Sequence, residues 1–411
     1  MSKKTAAIII IVFVLLIAGG FLAFYFYANQ DQDNNIVGPE SRGNIFPTSP
    51  AAGGAQTQGG AAPSPQPPAE SGTRAAPVLK ELSERPSAGA VALAASSTVL
   101  VRFVERGTGN VYEVGPARDG ETRLSNTTVP KIEEVLWHKD GRKVILRYAG
   151  DDGDSIKTYS ASLAAKASGE AEDSLQGAFL TENIRAVAAN PDQNKLFYLL
   201  QDAGGSTGII AEFDGARKTQ IFDSLLQEWL VAWPTPTTVA LTSKPSAGVP
   251  GFLFLLNTRT GALTRAISGI KGLTARVSPT GSLVLYGESL PQGLSLKIYP
   301  FSNASLRETA VATLPEKCLW SKNDPGALYC SVPSYLPTGN YPDDWYKGLV
   351  AFSDDIWKID SRTGAGELLA KLKDNTAKDI DGINLFMSPR EDYLFFINKN
   401  DFHLWSLRIQ N

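Results

Sequence analysis

The two cysteines are the side chains in this chain best placed to form a covalent link. Cys318 precedes and Cys330 follows a predicted turn at residues 321–326, and the midpoint between them lies inside that turn. We therefore expect them to face each other on adjacent antiparallel strands. Cβ atoms there lie about 4.5–5.5 Å apart, so a small adjustment permits a disulfide. The bond would persist outside the cytoplasm. The alternative is two buried thiols in the core.

Aspartates cluster at one turn of the chain. Asp151, Asp152 and Asp154 surround Gly153 and offer the oxygen ligands that calcium takes in proteins. The twelve-residue calcium loop with its terminal glutamate is absent from the sequence, so these three are weak metal candidates and a solvated hairpin turn is favoured. The acidic pairs at residues 343–344 and 354–355 are interpreted in the same way, as surface or turn carboxylates. No cofactor is predicted.

Catalytic motifs are missing from the sequence. It contains no Gly-x-Ser-x-Gly nucleophile elbow and no phosphate-binding Gly-rich loop that ends in Lys-Ser/Thr. Its two histidines, His138 and His403, show no local partner that would make either one a general base. The sequence therefore predicts no catalytic residue, although carboxylates from distant segments could still converge.

The elements that position these residues recur as a repeat. Short apolar strands lead into turns rich in Gly, Pro, Asn or Asp, and each turn opens a second β-rich run. Aligned on one position of this pattern, the repeats start at Ala95, His138, Asn190, Pro234, Ser278, Ser321 and Ser388. Most intervals are 43 or 44 residues, but the second is 52 and the last is 67. Several repeats of this length with multiple strands each are typical of a β-propeller.

The repeats resemble those of the TolB-like, WD-related β-propeller family. The resemblance is carried by the segments VSPTGSLVLY, MSPREDYLFF, ANPDQNKLFY, DIWKID and HLWSL. It implies an all-β domain over residues 77–411 with seven four-stranded antiparallel blades around a central channel. The seventh repeat ends after three strands, while a short β segment at residues 78–82 precedes the first. We predict that this segment is the outer strand of the last blade and closes the ring.

The 67-residue interval predicts an insertion at about residues 331–354. Its aromatic side chains are Tyr335, Tyr341, Trp345, Tyr346 and Phe352. Long loops on a rigid scaffold often carry binding residues, and Tyr and Trp are enriched at binding hot spots. These five are therefore candidates for partner contact. The alternative is a loop that folds back over the blade or the channel with its aromatic rings packed inside.

The N-terminus predicts a membrane anchor. After a stub at residues 1–4 that carries two lysines, residues 5–28 contain no charge, and as a helix they would cross the roughly 30 Å apolar core of a bilayer. A cleaved signal peptide is the alternative. Residues 29–76, rich in Pro, Ala and Gly, are expected to be a disordered linker. The lysines favour a cytoplasmic N-terminus and an extracytoplasmic propeller.

These features favour a non-catalytic scaffold that is tethered to the membrane and binds an envelope protein or cell-surface polymer. The net charge of −3 gives no support to nucleic-acid binding. The alternative is a propeller that binds or cleaves a polysaccharide with carboxylates at the channel mouth.

Overall fold

The structure of the protein is a computed structural model. It describes residues 78–95, 98–150, 152–153, 155–164, 174–302 and 305–409. The predicted anchor at residues 5–28 and the linker at 29–76 lie outside this described part. Within it, no helix has the length and apolar character needed to cross a membrane.

Seven four-stranded antiparallel sheets form the described part of the chain. Blade one contains β2 (Ser87–Ala94), β3 (Val99–Glu105), β4 (Val111–Val114) and β5 (Thr122–Arg123). Blade two contains β6 (Ile132–Trp137), β7 (Lys143–Ala149), β8 (Ile156–Ala164) and β9 (Ser174–Phe179). Blade three contains β10 (Ile184–Ala189), β11 (Lys195–Asp202), β12 (Gly205–Glu212) and β13 (Thr219–Ser224). Blade four contains β14 (Trp229–Thr235), β15 (Thr238–Ser243), β16 (Pro250–Asn257) and β17 (Leu263–Lys271).

Blades five to seven follow the same order, and the first strand of the chain completes the last blade. Blade five contains β18 (Thr274–Val277), β19 (Leu283–Leu290), β20 (Gly293–Pro300) and β21 (Arg307–Glu308). Blade six contains β22 (Cys318–Trp320), β23 (Ala327–Pro333), β24 (Asp354–Asp360) and β25 (Gly366–Lys371). Blade seven contains β26 (Gly382–Met387), β27 (Tyr393–Asn398), β28 (Leu404–Arg408) and β1 (Leu79–Glu81). The prediction of seven four-stranded blades is confirmed.

Ring closure occurs as the sequence predicted. Leu79 pairs with Leu407 and Glu81 with Trp405, so β1 covers the outer edge of β28. Pairing the two ends of the domain removes the open strand edge that blade seven would otherwise present.

In three of the repeats, the turn is stabilised by a side-chain oxygen at the position used to align the repeats. Ser278 Oγ accepts a hydrogen bond from the Leu283 amide at 3.1 Å, and Ser388 Oγ accepts one from the Tyr393 amide at 3.0 Å. The Asn190 side chain does the same for the Lys195 amide at 2.8 Å. Such short polar side chains stabilise tight turns by replacing backbone acceptors.

The core consists of seven apolar clusters, one between each pair of neighbouring blades. The second strand of a blade is covered on both faces, and for this reason strands such as β11 and β27 carry continuous runs of buried residues. Outer strands such as β17 are largely exposed.

Loops lie at both ends of the ring. In every blade, the hairpin between the second and third strands and the loop to the next blade lie at the same end, which we call the upper face. The insertion occupies this face, where residues 334–353 join β23 to β24 and contain α1 (Asp343–Tyr346). A 3-10 helix (Pro315–Lys317) precedes β22, and α2 (Leu372–Thr376) follows β25 at the same end.

Candidate functional site

The insertion packs most of its aromatic rings inward. Tyr341, Trp345 and Phe352 are 1%, 6% and 2% exposed and form an eighth apolar cluster with Leu294 and Leu314. The rings of Trp345 and Phe352 stack with centroids 6.3 Å apart. Three of the five predicted partner-contact residues are therefore placed in a packed interior, where their rings cover the blade ends.

The other two predicted contact residues are exposed. Tyr335 is 76% exposed and Tyr346 is 42% exposed. The insertion therefore covers the propeller with one set of rings and presents another set to solvent, and partner contact by the exposed set stays a prediction.

Polar contacts fasten the insertion across several blades. Asp343 Oδ2 accepts a hydrogen bond from the Ala247 amide of blade four at 2.6 Å, and Lys399 of blade seven donates to the Trp345 carbonyl at 2.6 Å. The Tyr346 hydroxyl donates to the Glu316 carboxylate between blades five and six. The insertion thus contacts the upper face from blade four to blade seven.

A buried ion cluster lies beneath the insertion. The side chains of Lys317, Asp354 and Asp381 are fully buried. Lys317 Nζ donates to Asp354 Oδ2 at 2.7 Å, to Asp381 Oδ1, and to the Gly382 carbonyl at 3.1 Å. It also lies 5.2 Å from the centre of the Phe352 ring. One lysine therefore joins two carboxylates that come from different blades.

Three chain segments bring this cluster together. Lys317 ends the 3-10 helix before β22, Asp354 begins β24 directly after the insertion, and Asp381 precedes β26. The insertion itself binds the cluster, because the Trp345 indole N–H donates to Asp381 Oδ2 at 2.8 Å and the Phe352 amide donates to the same oxygen at 3.1 Å. We call Lys317, Asp354 and Asp381 the clasp.

The two carboxylates of the clasp differ in their surroundings. Asp381 accepts hydrogen bonds from Lys317, Trp345 and Phe352, whereas Asp354 accepts them only at Oδ2, and its buried Oδ1 has no partner within the described residues. Burial, together with the charge of Asp381, raises the pKa of Asp354 to about 7 although Lys317 acts in the opposite direction.

The clasp was missed by the sequence interpretation, which took residues 354–355 as surface or turn carboxylates. That interpretation is wrong for Asp354, which is 1% exposed. Lys317 is separated from its partners by 37 and 64 residues, so no local spacing reveals the pairing. The position of Asp354 in the sequence could have indicated its role, because Asp354 is the first residue of the strand that directly follows the insertion.

The cysteines lie next to the clasp. Cys318 is the direct cross-strand partner of Cys330, and the structure joins them in a disulfide between β22 and β23. Both are fully buried. The disulfide therefore links the strand that follows Lys317 to the strand that leads into the insertion.

The acidic turn lies partly outside the described residues, since Asp151 and Asp154 are not among them. Asp152 Oδ1 accepts hydrogen bonds from the amide and the hydroxyl of Ser155, at 2.9 and 2.7 Å. Asp152 therefore stabilises the hairpin turn, and the calcium hypothesis remains untested.

His403 has a distant partner that no local pattern indicates. Its Nδ1 lies 2.6 Å from Glu81 Oε1, and Lys378 Nζ donates to both Glu81 oxygens at 2.9 and 2.8 Å. With Asp401 the group has ligand types suited to a metal. Because the Lys378 ammonium occupies both carboxylate oxygens of Glu81, we interpret the group as an ion-pair contact that holds β1 in blade seven.

We expect Glu81→Gln to lower the free energy of unfolding by about 1 kcal/mol at pH 7, because these partly exposed pairs are screened by solvent. Burial raises the pKa of Glu81, but hydrogen bonds from Lys378 and His403 outweigh it and leave that pKa below its usual value. The stabilisation is therefore complete above the ordinary carboxyl pKa and disappears as the pH falls through the lowered value. Urea titrations at pH 7 and pH 3 measure it. Glu84→Gln, in the exposed loop after β1, is the control and should change little.

Exposed apolar side chains concentrate on the upper face of blades three to six. We call this set the upper apolar surface, and its members are Leu225, Leu226, Leu230, Val249, Leu290, Tyr335, Tyr346 and Leu349. Leu225 is 88% exposed and Leu349 is 72% exposed. Three members belong to the insertion, and the others lie in or beside the loops of blades three, four and five.

The sequence matches no protein-family model and no curated protein sequence. Similar solved structures have low sequence identity to this chain. An oligogalacturonate lyase from Vibrio parahaemolyticus is 11% identical over 81% of this chain and 98% of its own, with a TM-score of 0.49. The propeller domain of the trilobed protease from Pyrococcus furiosus is 11% identical over 78% of this chain and 95% of its own, with a TM-score of 0.47. TolB from Acinetobacter baumannii is 12% identical over 77% of this chain and 78% of its own, with a TM-score of 0.41. TolB is thus among the structural neighbours.

Proposed function

We propose that this chain is a non-catalytic interaction module that binds a protein partner through the upper apolar surface. The observation that carries the proposal is that eight of the thirteen exposed large apolar side chains among the described residues lie on one face. Contiguous exposed apolar groups on soluble domains commonly mark interaction sites, because covering them releases ordered water. The rigid ring beneath would hold this surface in one shape before binding, which lowers the entropic cost of association.

The chemistry of the surface favours a protein over a glycan. Six of its members are Leu or Val, whose side chains offer no hydrogen bonds to sugar hydroxyls but pack well against apolar protein side chains. Tyr335 and Tyr346 add rings of the type enriched at binding hot spots. Asp354 and Asp381 beneath the insertion are closed to solvent, so these two carboxylates are not available to a polysaccharide.

Membrane tethering and extracytoplasmic display belong to the same proposal. They rest on the uncharged run at residues 5–28 and on the lysines before it. An anchor joined by a linker would keep the upper apolar surface near the envelope without fixing its orientation. The partner is therefore expected to be an envelope protein.

The test is site-specific photocrosslinking in cells, with a photoreactive residue at position 335 or 349. We expect both positions to crosslink the same protein, whereas positions 263 and 306 on the lower face, which are also exposed and apolar, should not crosslink it. With the purified partner, Tyr335→Ala combined with Leu349→Ala should weaken affinity at least tenfold. Leu263→Ala combined with Leu306→Ala is the matched control. Equal crosslinking from both faces, or unchanged affinity in the upper-face variant, would refute the proposal.

A further inference from the structure

The clasp carries more negative than positive charge when all its groups are ionised. It contains one lysine and two aspartates, all with fully buried side chains. An uncompensated charge in such a place is costly, and the usual relief is that a carboxyl group binds a proton. The clasp is therefore neutral with one proton bound and negative without it.

The hydrogen bonds indicate which carboxyl group holds that proton. Asp381 accepts from three donors that suit an ionised carboxylate, two of them supplied by the insertion. Asp354 accepts from Lys317 and from the Gly382 amide, both at Oδ2. Its second oxygen is buried with no partner in the described part of the chain. Asp354 is thus the less stabilised anion of the two.

The remaining charged groups near the clasp do not remove this asymmetry. Lys399 donates to the Trp345 carbonyl, lies 4.1 Å from the centre of the Trp345 ring and interacts electrostatically with Asp381. Glu316 binds the Tyr346 hydroxyl, and burial raises the pKa of this carboxyl too. No positive group other than Lys317 hydrogen-bonds to Asp354 among the described residues.

We propose that the insertion is a pH-operated lid over the upper face. The clasp holds the lid shut while Asp354 carries a proton, and the lid loosens when Asp354 loses that proton. Opening would let water reach the ionised Asp354 and would break the Trp345 and Phe352 hydrogen bonds to Asp381. The lid carries Tyr335, Tyr346 and Leu349, so its opening would remove part of the upper apolar surface. That last consequence rests on the proposed function, but the opening itself does not.

The direction of the pH effect follows from proton linkage. In an open lid Asp354 is solvated and has an ordinary pKa of about 4, whereas in the closed lid its pKa is about 7. Between these values the closed form holds one more proton than the open form. The opening constant therefore rises about tenfold per pH unit across this range and reaches a plateau above about pH 7.

The test is hydrogen exchange of the full chain between pH 5 and pH 9, with rates corrected for the intrinsic effect of pH. The Phe352 amide is the probe, because its hydrogen bond to Asp381 is lost on opening. We expect its protection to fall about tenfold per pH unit from pH 5 to pH 7 and then to level off. Asp354→Asn should remove the slope and retain high protection at pH 8. Asp374→Asn, at an exposed carboxylate in α2, should keep the wild-type slope.

Amides of β11 in blade three provide the internal control for global unfolding. A wild-type Phe352 protection that does not change with pH, or one that changes in parallel with β11, would overturn the proposal. An unchanged slope in Asp354→Asn would overturn it too. If Asp354→Asn does not fold, the wild-type slope measured against β11 decides alone. None of these readouts needs the partner, so failure of the lid and failure of the proposed function are distinguishable.

Discussion

Replacing Lys317 by Met should lower the free energy of unfolding by about 3–5 kcal/mol at pH 8. Met has a similar length and fits an apolar site, so the change removes chiefly the charge. It leaves the carboxylates of Asp354 and Asp381 buried without their shared cation, and breaking one side of a buried ion pair has a cost of this size. Urea titrations followed by circular dichroism measure the loss.

The loss caused by Lys317→Met should shrink as the pH is lowered to 5. Asp354, whose pKa is raised by burial, can then bind a proton, and a neutral acid in an apolar site costs less than a buried anion. Lys399→Met is the matched control, since Lys399 also lies against the Trp345 ring but does not hydrogen-bond to the clasp carboxylates. It should lose only about 1 kcal/mol. Equal losses for the two variants, or a Lys317→Met loss independent of pH, would contradict the clasp as a charge-balanced unit.

Adding Asp354→Asn and Asp381→Asn to Lys317→Met should recover part of the stability. A buried ion cluster is often no more stabilising than an uncharged replacement, while a broken one is strongly destabilising. The clasp is therefore better understood as a device that specifies where the insertion docks than as a source of net stability. Its parts come from three segments, and Asp381, which Lys317 binds through its other oxygen, satisfies both the Trp345 indole and the Phe352 amide.

The fold was predictable because its signals are local and repeated. Turn positions such as Ser278 and Ser388 hydrogen-bond to residues within five positions, so each repeat carries its own pattern. Closure by β1 was predictable from counting strands, since a missing outer strand and an unassigned β segment match one another. The clasp is neither local nor repeated, because Lys317 contacts Asp381 across 64 residues and the described residues contain this arrangement in one place.

Which aromatic residues of the insertion are buried could not be predicted from the sequence either. Composition marked five of them, but it does not distinguish Tyr341, which is 1% exposed, from Tyr335, which is 76% exposed. The difference arises from where each ring falls on the surface of blades five and six, and loop sequence does not encode that position. Likewise, the apolar members outside the insertion, such as Leu225 and Val249, become one surface only when the blades are arranged around the ring.

Loss of the Cys318–Cys330 bond should have the second largest effect on stability. The bond closes a loop with a sequence separation of 12 residues, and the chain-entropy relation gives about 3 kcal/mol for constraining an unfolded loop of that size. The wild-type protein should therefore have a lower urea midpoint when it is unfolded with a thiol reductant than without one. Because both cysteines are fully buried, the reductant acts on the unfolded chain and not on the folded one.

A variant with Cys318→Ala and Cys330→Ala is the matched control, and its urea midpoint should not respond to the reductant. If the urea midpoint of the wild-type protein also does not change with the reductant, the bond is absent or does not constrain the unfolded chain. A further consequence concerns the lid, because Cys318 follows Lys317 and Cys330 lies on the strand that enters the insertion. In this double-alanine variant the hydrogen-exchange protection of the Phe352 amide should therefore be lower than in the wild-type protein. This result is expected if the disulfide holds the base of the clasp.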